Sequence, residues 1–244
     1  MQTMQKDSKP QTKDVLCDCG VTFTSEVVDC FGVDLTVLKC PKCIEQYFKN
    51  EAAQDQLDIQ RKRDEEFEDR CPRGMRKFDR DRFPSDLDKH DRTMNAPVID
   101  KGVLIHGRTG SGKSRTMWQL AKRLITYDQR SVIVMEDRAF GRLIERSYNE
   151  DNGEHDRLIR RFQNCSVLMI DDLGKSKMTE RVESDLFDII DHRYAEGKPM
   201  CFTTQFTGES LKARFGCKET GEAIVRRITE VTNPTYFKSI NHQQ

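Results

Sequence analysis

Residues 107–114 read Gly107-Arg108-Thr109-Gly110-Ser111-Gly112-Lys113-Ser114, a full match to the G-x-x-x-x-G-K-[ST] spacing. Loops of this type bind anions. The glycines let the backbone turn tightly enough for successive N–H groups to converge on a phosphate. The helix that follows adds partial positive charge at the same point. Lys113 reaches the β- and γ-phosphates as a mobile point charge, and the Ser114 hydroxyl is placed to ligate Mg²⁺. Gly107 through Ser114, with Arg115, form the candidate ATP-binding set. A glycine-rich turn with no ligand is the alternative that the spacing alone leaves open.

A phosphate loop needs carboxylates on a second strand. Cys165-Ser166-Val167-Leu168-Met169-Ile170-Asp171-Asp172-Leu173-Gly174 supplies an apolar run ending in two acids. Such a run suits a central parallel strand covered on both faces, and its C-terminal end is where open α/β sheets bind ligands. Asp171 would hold the Mg²⁺ shell, and Asp172 would orient or deprotonate the attacking water. Aspartate is one methylene shorter than the glutamate common at that second position, so slow hydrolysis is expected. Two further residues are candidates. Gln205, at the end of Thr203-Thr204-Gln205, could sense the γ-phosphate or position water; it could also be a strand-end cap. Arg227, in Gly221-Glu222-Ala223-Ile224-Val225-Arg226-Arg227-Ile228, could stabilise transition-state charge on a neighbouring copy's nucleotide, or be an ordinary salt-bridged helix arginine.

A separate cluster lies near the start of the chain. Cys17-Asp18-Cys19-Gly20 and Cys40-Pro41-Lys42-Cys43 look like two metal knuckles, with thiolates suited to Zn²⁺ in a closed, structural four-cysteine site. The first is C-x-C in place of the usual C-x-x-C, and Cys30 could substitute for one ligand. A segment this small needs metal to fold; reduced thiols in a small β unit are the alternative. Cys71, Cys165, Cys201 and Cys217 are scattered and read as packing residues.

The elements that must position these groups alternate. Apolar runs at 102–106, 131–135, 165–170 and 199–205 read as strands. Helical spacing appears over 115–125, 139–148, 155–162 and 179–194, with short helices at 208–215 and 221–230 and a last strand at 235–237. Alternation of this kind gives a parallel sheet with helices on both faces. Residues 44–70 read as a polar helix with a weak apolar stripe, broken at Cys71-Pro72, with another turn at Phe83-Pro84. The expected organisation is a zinc-binding module at 1–50, a charged helical linker at 51–95 and the nucleotide-binding domain at 96–244.

Composition narrows the class. The 244 residues carry 41 basic and 41 acidic side chains, so no global basic field announces nucleic acid. A mean hydropathy of −0.75, no run near the roughly 18 apolar residues of a membrane span and no apolar secretory leader point to a cytoplasmic protein without membrane contact. Its nine cysteines are then expected to be reduced.

The phosphate loop, the Val-Leu-Met-Ile-Asp-Asp-Leu-Gly strand, Asp191-His192-Arg193-Tyr194, the Thr-Thr-Gln strand and the Gly-Glu-Ala-Ile-Val-Arg-Arg-Ile segment occur in one order. Together they resemble the DnaC/DnaI-type replicative helicase loaders of the AAA+ class, to which the IstB transposition ATPases are related. The cysteine module resembles the zinc-binding N-termini of phage and bacterial loaders. Cys71-Pro72-Arg73 and Arg82-Phe83-Pro84 resemble the segment leading into their ATPase domain. The resemblance implies an AAA+ sheet preceded by a small zinc-ribbon-like domain. It also implies ATP, Mg²⁺ and Zn²⁺ as cofactors, with Asp171 and Asp172 as the Walker B pair, Gln205 where loaders usually have Asn, and Arg227 as the arginine finger with Arg226 as competitor. No C-terminal sensor arginine is evident. The implied partners are a replicative hexameric helicase docked on the N-terminal module, single-stranded DNA, and further copies of the ATPase domain.

For DNA the charge pattern offers Arg138, Arg142 and Arg146 four apart on one helix face, with Arg157, Arg160 and Arg161 on the next helix. Glu145, Glu150, Asp151, Glu154 and Asp156 nearby make a solvated mixed face an equal reading. Three functions follow: an ATP-switched helicase loader, a transposition helper ATPase acting on duplex DNA, and a small-molecule kinase with a zinc module. The kinase leaves Gln205 and Arg227 without a task, and no lid or acceptor pocket is evident.

Overall fold

The computed structural model describes residues 11–30, 33–82, 86–150 and 153–238. The chain divides into two compact units, Met1–Arg61 and Lys62–Gln244.

In the first unit, β1 (Thr12–Leu16), β2 (Thr22–Cys30) and β3 (Val33–Thr36) form an antiparallel sheet in that order, followed by α1 (Pro41–Arg70), whose residues from Lys62 onward belong to the second unit. Thr12 pairs with Glu26 and Leu16 with Thr22. The turn between them is closed by the Gly20 N–H donating to the Cys17 carbonyl at 2.8 Å and the Cys17 N–H donating to the Val21 carbonyl at 2.9 Å. This sheet covers little apolar surface: Leu16, Val21 and Val28 are all more than half exposed. Burial alone therefore gives it little stability.

The second unit is built on five parallel strands, β4 (Gly102–Gly107), β5 (Val132–Glu136), β6 (Val167–Asp171), β7 (Met200–Thr204) and β8 (Thr232–Phe237), in the order β5-β6-β7-β4-β8. The helices are α2 (Leu87–Met94), α3 (Lys113–Thr126), α4 (Asp137–Ser147), α5 (Glu154–Asn164), α6 (Glu180–Ala195), α7 (Gly208–Lys212) and α8 (Lys218–Val231). The strands expected from the apolar runs are all present, and the helices differ mainly by a few residues at their ends. Strand side chains alternate between faces, so β6 divides its residues. Leu168 and Ile170 join one core layer with Phe140, Phe162, Leu186 and Ile224. Val167 and Met169 join the other with Met117, Leu120 and Leu124. Every residue of β6 and β7 is buried, which is why these strands read as unbroken apolar runs. Pro234 sits in the edge strand β8, where a missing N–H is tolerated.

The observed boundary falls at residue 61/62, where the sequence suggested 50/51 and 95/96. Much of the segment from 62 to 95 packs within the second unit. Phe67 is fully buried and meets Trp118 edge-on with ring centroids 6.1 Å apart. Gln119 of α3 donates to the Met75 and Arg76 carbonyls at 2.8 and 3.0 Å. Helix α2, which the sequence did not foretell, sends His90 between the Phe78 and Phe237 rings and onto the Thr116 hydroxyl of α3. Phe83 and Pro84 lie outside the described residues.

Candidate functional site

The phosphate loop leaves β4 at Gly107 and enters α3 at Lys113. Gly107 has φ +149°, and a Cβ there would stand 2.1 Å from the Phe237 carbonyl oxygen of β8. Gly112, at the N-cap of α3, has φ +84°. No other residue type meets both demands without strain, so the sequence pattern is a backbone requirement before it is a chemical one. Ser111 is buried and donates to the Arg108 carbonyl at 2.8 Å; the Lys113 ammonium donates to the same carbonyl at 2.9 Å. Burial pushes the Lys113 pKa down from its ordinary value, opposed by Asp172 and Asp171. Its charge is thus partly desolvated and held beside two acids. The Arg115 side chain is held from the other side. Its Nε donates to the Gly74 carbonyl at 3.0 Å, which commits it to the segment before the sheet.

Asp171 ends β6 with 4% of its surface exposed. Burial pushes its pKa up, and hydrogen bonds from the Thr203 and Ser114 hydroxyls pull it back. The Ser114 hydroxyl is thus a near neighbour of the Asp171 carboxylate, and both are hard oxygen groups of the kind that hold Mg²⁺. Asp172 follows in the left-handed region, at φ +58°. Aspartate tolerates that conformation better than most residues, at some cost in strain. Its N–H donates to the Thr203 hydroxyl at 2.8 Å, and its carboxylate is ion-paired with Lys175 at 2.6 Å. Thr203 of β7 thus bonds to both acids, donating to one and accepting from the other. Asp137, at the start of α4, is buried and accepts from the Ser176 N–H at 2.8 Å, so it anchors the loop that follows Asp172.

Gln205, at the end of β7, accepts from the Thr109 hydroxyl of the phosphate loop at 3.1 Å. Sheet order brings them together, because β7 lies between β6 and β4. Arg227 is turned inward. Its guanidinium pairs with Asp191 of α6 at 2.5 Å and lies 4.6 Å from the Phe187 ring centroid, with 15% of its side chain exposed. Arg226, the other candidate, is 68% exposed. Helix α8 is also held at its start: the buried Glu183 carboxylate of α6 accepts from the Gly216 N–H at 2.7 and 3.0 Å and from the Cys217 N–H at 3.4 Å.

In the first unit the sulfurs of Cys17, Cys19, Cys40 and Cys43 lie within 4.8 Å of one another, and Cys19 Sγ is 3.6 Å from Cys40 Sγ. Thiolates around a tetrahedral zinc at about 2.3 Å are about 3.8 Å apart, far beyond a disulfide. Backbone N–H groups of Cys19 and Cys40 pull the Cys17 thiol down to about 6, while the neighbouring cysteines push Cys43 up to about 12, so the four sulfurs favour one thiolate and oppose several in the absence of a cation. The donor set fits zinc. Pro41 opens α1, and the Ile44 N–H donates to the Cys40 carbonyl at 3.0 Å, which presets two of the four sulfurs. The Cys30 side chain lies outside what is described. Cys71, Cys165 and Cys201 are buried; Cys217 is half-buried.

Sequence reasoning missed Thr203, Asp137, Glu183 and Arg193. The Arg193 guanidinium is fully buried and donates to the Phe162, Cys165 and Pro199 carbonyls at 2.8–2.9 Å. It ties the end of α5 to the segments entering β6 and β7. Its place in the Asp191-His192-Arg193-Tyr194 string was the available signal.

The model of the IstB-like ATP binding proteins matches residues 91–237, more than half of the chain. The replicative helicase loader DnaI of Bacillus subtilis (strain 168) is 28% identical over 132 residues, which are 54% of this chain and 42% of that protein; the chain thus spans less than half the length of this curated relative. Among solved structures, DnaI superposes with a TM-score of 0.55 at 20% identity, covering 68% of this chain and 94% of that one. The DnaC helicase loader gives 0.51 at 20% identity over 62% and 88%. These two likenesses concern the fold, the α/β arrangement of AAA+ P-loop structures. On the family match, the chain belongs to the IstB-like ATP-binding proteins.

Proposed function

We propose that this protein binds ATP and uses it as a switch to place a replicative DNA helicase on single-stranded DNA. The observation that carries the reading is the convergence of Ser114, Asp171 and Gln205 on one phosphate loop, in a chain related to a helicase loader. Lys113 and the loop N–H groups hold the phosphates. Ser114 and Asp171 would hold Mg²⁺, which would supply positive charge to offset that developing on the phosphates. Thr203 orients Asp171 and Asp172 together. Asp172 directs water at the γ-phosphate once Lys175 releases it, and Gln205, bonded to Thr109, reports the loop's state to β7. The arginine that completes the site on a neighbouring copy is Arg227 if it leaves Asp191, or Arg226 as it stands.

Cys17, Cys19, Cys40 and Cys43 would hold zinc, which would stabilise the N-terminal module as the docking surface for the helicase. Arg138, Arg142 and Arg146, all exposed on α4, make phosphate contacts with the strand. The family match supports a second reading, a transposition helper ATPase that prefers duplex DNA. Affinity capture from native lysate with ATP tests both, with Lys113→Ala as control. Recovery of a hexameric replicative helicase supports the loader, and recovery of a transposase supports the second reading. Turnover that responds to a metabolite and to no protein or DNA would overturn both.

A further inference from the structure

A recess of about 590 Å³ opens in the second unit, bordered by residues 125–133, the end of α5 and the last turns of α1. It stands at the N-terminal ends of β5 and β6, whereas the phosphate loop and Asp171 stand at the C-terminal ends of their strands. Helix α3 runs from one region to the other, and its 14 residues span about 21 Å. The recess is therefore a site apart from the nucleotide.

Its charge is one-sided. Arg63, Arg70, Arg130 and Arg161 line it with a single acid, Glu66. Among the described residues only Arg70 is neutralised, by an ion pair with Glu66. Arg63 donates to the Ile125 carbonyl at 3.1 Å, and Arg130 donates to the Val98 carbonyl and, at 3.5 Å, to the Ser166 carbonyl. These bonds fix the two guanidiniums without cancelling their charge. Arg161 is exposed and has no ion-pair or hydrogen-bond partner for its side chain among the described residues. Arginines from three elements thus place a net charge of +3 in one recess of a chain whose overall charge is zero. Guanidinium forks pair well with phosphate oxygens, and the Ser131 hydroxyl on the same wall is a neutral donor for a further oxygen. The one aromatic ring in the lining, Phe67, is fully buried, so the recess offers no platform on which a base could stack.

We propose that this recess binds the phosphodiester backbone of a single nucleic-acid strand, independently of sequence, as a second contact site beyond the α4 arginines. A single strand is flexible enough to enter a recess, whereas the phosphates of a duplex ride on a stiff rod. The proposal rests on the single-strand reading above.

The test is fluorescence anisotropy of a labelled oligo(dT) with the full-length protein, titrated from low to high salt. Wild type, the pair Arg63→Ala/Arg161→Ala and the triple Arg138→Ala/Arg142→Ala/Arg146→Ala are compared, with ATP binding as the check on folding. Loss of two phosphate contacts should lower the slope of log K against log salt by about 1.4, at about 0.7 per contact on single strands. Arg161→Lys should retain most of the slope. If the wild type binds, the triple variant weakens binding and the Arg63/Arg161 pair matches wild type, the recess is not a strand site and the DNA reading stands. If the wild type shows no salt-dependent binding, the single-strand reading falls and takes the recess with it. An Arg63/Arg161 effect confined to a duplex probe also overturns the proposal.

Discussion

Arg227 and Asp191 face each other across α8 and α6 as a 2.5 Å ion pair, with the Arg227 guanidinium against the Phe187 ring. An arginine destined for a neighbouring copy would first have to leave this pair. Asp191 is about half exposed, so the attraction is screened and the hold is modest, on the order of 1 kcal/mol with the ring contact included.

Arg227→Ala should keep ATP affinity and lose the rise of turnover with protein concentration, while Asp191→Ala should strengthen that rise. Steady-state hydrolysis across a concentration series decides it. If Arg226→Ala removes the rise and Arg227→Ala does not, the exposed neighbour is the donor.

Lys113→Ala should weaken ATP binding by roughly 10- to 100-fold, the 1.5–3 kcal/mol of a hydrogen bond to a charged group. Its zinc content should be unchanged. Titration calorimetry and metal analysis on one preparation read both, and loss of zinc with the mutation would couple the two units.

Metal removal should act on the first unit alone. Trp118, the single tryptophan, lies in the core of the second unit. A strong chelator should release one zinc per chain and reduce far-ultraviolet strand signal, with tryptophan emission unmoved. Acidification should also release the metal, because the thiolate ligands take up protons. A chain that carries no zinc when purified from rich medium would contradict the assignment.

Glu183→Ala should destabilise the second unit by about 2–4 kcal/mol. It removes the one carboxylate bound to the Gly216 and Cys217 N–H groups at the start of α8. Urea denaturation followed by Trp118 emission measures this, and Glu183→Gln, which keeps one acceptor oxygen, should recover part of the loss.

Burial pushes His90 down to about 4 from an ordinary 6.5. The unfolded chain therefore takes up the proton first. The contribution of neutral His90 is fully present above pH 6.5 and is lost as pH falls from 6.5 toward 4, by at most about 3 kcal/mol. Unfolding midpoints at pH 7.5, 5.5 and 4.5 should fall less steeply in His90→Gln than in wild type; parallel curves would remove His90 from the acid response.

The parts of this protein governed by local rules were legible in its sequence. The phosphate loop, the apolar strands β6 and β7, and the paired cysteines each follow from backbone conformation, two-sided burial or ligand spacing. Asp171 was legible because a carboxylate at the end of a strand buried on both faces is costly unless hydrogen bonds or a bound cation offset its desolvation. Helix α2 was not, because five of its eight residues are charged or histidine and only His90 and Thr93 are buried; it is stable through contacts with α3. Thr203 was missed because its task depends on β7 lying beside β6, which no local pattern encodes. Glu183 and Arg193 were missed for a related reason: their partners are backbone groups roughly 30 residues away.

Sheet order also sets when the nucleotide site can exist. Strand β4, which delivers the phosphate loop, is flanked by β7 and β8, and Gly107 closes against the Phe237 carbonyl. Register pairs Gly102 with Thr232 and Gly107 with Phe237, a separation of some 130 residues. Contacts so distant in sequence form late. During synthesis the loop is left without its outer wall until β8 arrives, so a chain cut before β8 should lack ATP binding.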